Sequence, residues 1–218
     1  MKTNEALQMD VQNAIKWEPL LNAAEIGVTA KDGVITLTGV VDSYTKKTEA
    51  ENAAKNVIGV KAIAEEIEVN YGSLFKKNDT EIATEVLNAW QWKWEVPNDK
   101  IKVKVQSGWV TLEGEVEWNY QKEAAKNAVA NLTGVKGVSN HITIISGSKD
   151  AIEKSAVESA LARSWSINDH DVKVNVAGNK VKLTGIVHSL YQKEEAGRLA
   201  WNAPGVRAVD NELAVICN

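Results

Sequence analysis

One lysine returns three times at the same place in three similar stretches of chain: Lys47, Lys122 and Lys193. Each sits about one turn into a predicted helix, where unpaired backbone N–H groups point out of the helix end. A cation there opposes the helix macrodipole by roughly 0.3–1 kcal/mol. Backbone donors with a lysine beside them can hold a phosphate. The competing role is structural, with the aliphatic stem packed on a sheet edge and the amine in water. Tryptophan is the second unusual residue, with eight copies against one phenylalanine. Trp118 stands where the equivalent positions carry Ser43 and Ser189, and Trp201 where they carry Lys55 and Ala130. Both are therefore candidates for exposed aromatics, which suit a membrane interface or a protein-binding hot spot, or else packing between neighbouring repeats. Trp90 aligns with Ile15 and Leu161 and is expected in a core. Trp92 aligns with Trp17, and Trp94 with Trp165, at the end of a first helix.

Other chemistry is sparse. Nucleophilic catalysis needs a base close to a serine or cysteine, yet His141, His170 and His188 fall at three different places in the repeat. They read as surface or strand-edge histidines. Asp169, His170 and Asp171 are consecutive and suggest a turn rather than a metal centre. Carboxylates are numerous but not equivalently placed, so no acid/base pair emerges, and the glycines sit where hairpins and caps need them. The expectation is no catalytic residue, no metal and no cofactor.

These residues ride on an internal repeat. Residues 10–70 align without gaps with 85–145 and with 156–216. Gly33–Val41 returns as Gly108–Val116 and as Asn179–Val187, and a Gly-Val pair follows each time at Gly59, Gly134 and Gly205. A period of about 70 residues is too long for a solenoid unit and is the size of a small domain. Three tandem modules follow: 1–72, 73–147 and 148–218. Each opens on a helical stripe, such as Leu7, Val11 and Ile15, or Ile82, Val86 and Trp90. Asn78 to Glu81 and Asp150 to Glu153 have the spacing of a capping box. Pro19 and Pro97 stop the first two helices.

A hairpin comes next, turning at Asp32-Gly33, Ser107-Gly108 and Gly178-Asn179, the composition of primed two-residue turns. The return strands bury Leu37, Leu112 and Leu183 and run into Gly39, Gly114 and Gly185, glycines that imply a bulge or a close backbone approach. The second helix is capped by Ser43 or Ser189, shows a small-residue stripe, and ends near Gly59, Gly134 and Gly205 as C-terminal caps. An alternating strand closes each module. The expected fold is α/β in the α+β sense: three α-β-β-α-β modules, each a three-stranded sheet with two helices on one face. The linkers are Tyr71–Lys77, with three apolar residues able to dock, and the flexible Ser146–Lys149.

Composition agrees with ordinary globular modules. The net charge is −4 and unevenly held: residues 1–72 have 7 Lys against 11 acids, and the other two modules have 9 of each sign. No module is net basic, which disfavours a phosphate-neutralising nucleic-acid surface. No stretch has the ~18 consecutive apolar residues of a membrane span. The first ten residues carry acids and no apolar core of a secretory signal. The single Cys217 permits no internal disulfide.

The ordered pattern V-x-L-x-G-x-V, then a helix with K-x-x-A, then G-V-x-x-V-x-N-x-[IL]-x-V, resembles the BON domain. Asn140 and Asn211 match the family's asparagine before the last strand, and Glu65 departs from it. The resemblance covers nearly the whole chain. It implies an α/β sandwich, no enzymatic activity, and binding of phospholipid or other envelope surfaces, often in osmotic or envelope stress. The partners it implies are anionic lipid head groups or envelope proteins. Two alternatives stay open: a chaperone-like protein holding clients by sheet edges or Trp patches, and a small-ligand or ion-binding module using the recurring lysine. The expected compartment is the periplasm if a signal was removed, and the cytoplasm if Met1 is the native start.

Overall fold

The computed structural model describes residues 2–72, 76–145, 152, 154–164 and 171–216. Three three-stranded sheets appear in it, ordered β1-β2-β3, β4-β5-β6 and β7-β8-β9. The first repeat runs α1 (Asn4–Trp17), a short 3-10 turn, β1 (Ile26–Lys31), β2 (Val34–Val41), α2 (Tyr44–Lys55) and β3 (Ala62–Val69). The second runs α3 (Asp79–Gln91), β4 (Ile101–Gln106), β5 (Trp109–Val116), α4 (Asn119–Ala130) and β6 (Gly137–Ile144). The third runs α5 (Lys154–Ala162), β7 (Val172–Ala177), β8 (Lys180–Val187), α6 (Leu190–Trp201) and β9 (Ala208–Val215). The α+β architecture read from the repeat is thus present three times.

The chain divides into two compact units: Met1–Gly39 with Glu49–Glu66 and Ser148–Asn218, and Val40–Thr48 with Ile67–Gly147. In the second unit, β4 and β5 pair antiparallel and β5 and β6 parallel, so α4 is the crossover. Ile82, Val86 and Trp90 of α3 and Ala125 and Val129 of α4 share one buried core with Val110, Leu112 and Ile142. Both helices therefore cover the same sheet face. In the first unit the third repeat does the same, with Val157, Leu161, Ala196 and Ala200 over Val181, Leu183 and Leu213. Leu37, Leu112 and Leu183 are all fully buried, as their strand positions require.

The hairpin turns explain two unusual backbones. Asp32 (φ 53°) with Gly33, and Ser107 (φ 53°) with Gly108, are left-handed at both central positions, the requirement of type I′. The first helix holds each turn. Asn4 Oδ1 accepts the Asp32 N–H at 2.9 Å, and the Asp79 carboxylate accepts those of Ser107 and Gly108 at 2.7 and 2.9 Å. At Gly114 (φ 142°) a Cβ would lie 2.2 Å from the Lys100 carbonyl oxygen, so the expected close backbone approach is real.

The capping box at Asn78 and Glu81 forms in both directions; the one expected at Asp150 to Glu153, and the linker residues 73–75 and 146–149, lie outside the described residues. Gly59, Gly134 and Gly205 are left-handed but stand beyond the helix ends. Asn131 and Asn202 close α4 and α6, and the glycines shape the turn into the last strand.

Candidate functional site

The recurring lysines sit in the first turns of α2, α4 and α6, all half-buried. In two of the repeats it is their backbone carbonyl, which any residue would offer, that is engaged. Asn140 Nδ2 donates to the Lys122 carbonyl at 3.1 Å while its Oδ1 accepts the Ile142 N–H at 3.2 Å. Asn211 repeats this with the Lys193 carbonyl at 2.6 Å and the Leu213 N–H at 3.3 Å. One asparagine thus pins the second helix to the last strand. The first repeat has Glu65 at this place, and there the lysine side chain makes the tie: Lys47 Nζ donates to the Ile67 carbonyl at 2.6 Å. Its ammonium is engaged by the sheet and points no free charge at a ligand.

The tryptophans distribute differently from their sequence cues. Trp118 is half-buried at the N-cap of α4, and its indole accepts nothing from the helix. Gln121 compensates from inside the helix, its Oε1 accepting the N–H groups of Glu117 and Trp118 at 3.0 and 3.1 Å. Trp201 is half-buried and packs against the core of the third repeat, so it is not an exposed aromatic. The most exposed ones are Trp17 (84%), Trp92 (87%) and Trp94 (86%); Trp165 lies outside the described residues. Trp92 and Trp94 flank the exposed Lys93 just past α3, whose own Trp90 is wholly buried and donates to the Ala125 carbonyl at 3.2 Å. The sequence signal was partial: α3 reaches the core through Ile82, Val86 and Trp90, which leaves Trp92 off that stripe, whereas Trp94 continues the i, i+4 spacing and is exposed because the helix ends at Gln91. Trp109, half exposed, lies over Gly137, where an added Cβ would fall 2.3 Å from the indole. That accounts for glycine where the other repeats carry Ala62 and Ala208.

Within the second unit, Tyr71 leaves β3 and inserts its hydroxyl at the end of α4. It donates to the Val135 carbonyl at 2.8 Å, lies 3.3 Å from that of Leu132, and accepts the Tyr44 N–H at 3.4 Å. Burial pushes the Tyr71 pKa up. Thr45 Oγ1 adds a bond to Asn131 Oδ1 at 3.0 Å. Among the described linker residues, Tyr71 docks. Within the first unit, burial disfavours the Lys55 ammonium, but Glu194 and Glu51, each at 2.8 Å, outweigh it and raise its pKa.

A groove absent from the sequence reading recurs beside the hairpin turns. In the second unit it encloses about 450 Å³ among Tyr71, Lys77, Asp79, Gly108 and Lys136. In the first it encloses about 390 Å³ among Lys2, Asn4, Gly33 and Lys61. Three of its charges are engaged: Lys77 pairs with Glu85, Lys2 with Asp10, and Asp79 holds the turn. His141 is exposed on β6 and His188 half-buried after β8; His170 and Asp169 lie outside the described residues. Among the described residues no three His, Cys, Asp or Glu side chains gather as metal ligands. No helix among them is long and apolar enough to cross a membrane.

Comparison with known proteins matches the BON domain three times, over residues 3–71, 78–146 and 149–217. Osmotically-inducible protein Y of Escherichia coli (strain K12) is 28% identical over 143 residues, 64% of this chain and 71% of that one. Two solved chains of CdsD, a structural protein of the type III secretion system of Chlamydia trachomatis, align over nearly all of this chain. One is 16% identical, covering 96% of this chain and 92% of its own, at a TM-score of 0.24. The other, the C-terminal domain, is 17% identical, covering 99% and 100%, at a TM-score of 0.26. Scores this low carry no argument about either fold or role.

Proposed function

Since the chain belongs to the BON domain family, we propose that it is a non-enzymatic binding protein for phospholipid surfaces of the cell envelope, acting in osmotic stress. We take its working parts to be three modules, 1–72, 73–147 and 148–218. One observation carries the lipid reading: Trp92 and Trp94 stand almost wholly in solvent on either side of Lys93. Amphipathic indole rings partition to the head-group level of a bilayer, and a lysine between them meets anionic head groups. Of the recurring lysines, Lys47 is a secondary contact because it is already bonded to the sheet. The surface is met from the periplasm in an exported form.

The experiment is sedimentation with phosphatidylglycerol/phosphatidylethanolamine vesicles and with phosphatidylcholine vesicles. The anionic vesicles should carry down the protein, less so as salt rises, since screening acts on exposed charges. Replacing Trp92 and Trp94 together by Ala should weaken that binding by roughly tenfold or more, from the loss of two large aromatic surfaces. Equal sedimentation with both vesicle types rejects the electrostatic part, and full binding by the double variant rejects the indole anchor.

A further inference from the structure

Each sheet leaves its first strand as an edge, and the three edges are not alike. β4 carries Lys102 and Lys104, and β7 carries Lys173, all exposed. Lysines on edge strands keep other strands from pairing there. The equivalent positions of β1 are Gly27 and Thr29, and the strand is uncharged from Ile26 to Ala30. On the outer face its neighbours Val34, Thr36, Thr38, Ala62 and Ala64 carry no charge, and the charges of that face are Lys31 at the turn end and Glu66 and Glu68 on β3. The third sheet differs: its outer face is laced by Lys180–Asp210 and Lys182–Glu212 pairs at 2.8 Å. The other edge of the first sheet, β3, carries Glu65, Glu66 and Glu68.

We propose that β1 is an interface for a second copy of this chain, the two β1 strands pairing antiparallel about a two-fold axis at Thr29. Charge and size favour this occupant. In that register Thr29 faces its own copy, and Thr–Thr pairs across antiparallel strands are favourable. Lys31 falls opposite Gly27, so no like charges meet, and the buried Val28 falls beside the smaller Ala30. The same operation on β4 would set Lys102 against Lys104, or Lys104 against itself. A two-fold contact is self-complementary and closes at a dimer.

Sedimentation equilibrium of the full chain tests this from micromolar to submillimolar concentration. A reductant keeps Cys217 from forming a disulfide, and physiological salt limits the repulsion of two chains of net charge −4. The native chain should show a reversible monomer–dimer equilibrium. Thr29→Lys and Thr29→Glu should each weaken association by roughly tenfold or more, because like charges directly opposite destabilise a strand pair. An equimolar mixture of the two variants should dimerise again, which simple misfolding would not produce. Circular dichroism and melting of each variant should match the native chain, since Thr29 is exposed. A native chain that stays monomeric throughout overturns the proposal, whatever other strand the edge accepts. So does a Thr29→Lys variant that dimerises as well as the native chain.

Discussion

The second and third repeats enter their second helix at the same backbone position with opposite chemistry. In the third, Ser189 Oγ accepts the Gln192 N–H at 3.2 Å, and Gln192 Oε1 accepts the His188 N–H at 2.7 Å. In the second, the serine has become Trp118 and only the glutamine half survives. A capping box is two separable bonds, and the inner one suffices to start α4. The outer position is thereby released to carry a large side chain. Further along, the two repeats agree again: Asn140 and Asn211 tie the helix to the last strand in the same way.

The comparison breaks first in the core if the repeats are not equivalent. Leu112→Ala and Leu183→Ala both remove a wholly buried side chain from the central strand. Each should cost roughly 2–5 kcal/mol, the range of buried leucine truncations. Unequal losses seen in urea denaturation would mean that one core collapses around its cavity and the other does not. The asparagine tie is the next test. Asn140→Ala leaves the Lys122 carbonyl and the Ile142 N–H without their shared partner and should cost about 1–3 kcal/mol. Asn211→Ala should cost a similar amount. An effect confined to one of them would show that the tie is redundant in the other repeat.

Most of the fold was readable because the repeat supplies its own controls. A hydrophobic stripe seen once is ambiguous, but Leu37, Leu112 and Leu183 fall in register three times and are buried three times. The helix ends were less readable. A glycine with positive φ looks the same in sequence whether it closes a helix or shapes the following turn, and Gly59, Gly134 and Gly205 do the latter. Exposure of tryptophan was least readable. Trp201 lies off the strict stripe yet packs on the core, because a large indole reaches sideways across a helix face. Lys47 shows a further limit: its recurrence suggested a ligand, but only the substitution of Glu65 for asparagine hints that its amine must replace a lost tie.

The smallest effect is also the most direct measure of the difference between the two helix entries. Trp118→Ser and Trp118→Ala both lose the half-buried indole. Removing roughly 100 Å² of apolar contact costs about 2.5 kcal/mol, more than a cap restores, so both variants should be less stable than the native chain. They differ in one respect: serine brings an acceptor oxygen to the N-cap, where it can take the Gln121 N–H as Ser189 takes that of Gln192. The Ser variant should therefore be about 1 kcal/mol more stable than the Ala variant. Ser189→Ala in the third repeat should lose about the same amount, since Gln192 keeps its own bond to the His188 N–H. Equal urea midpoints for the two Trp118 variants would mean that Gln121 alone saturates the helix entry, and that the cap in the third repeat is dispensable too.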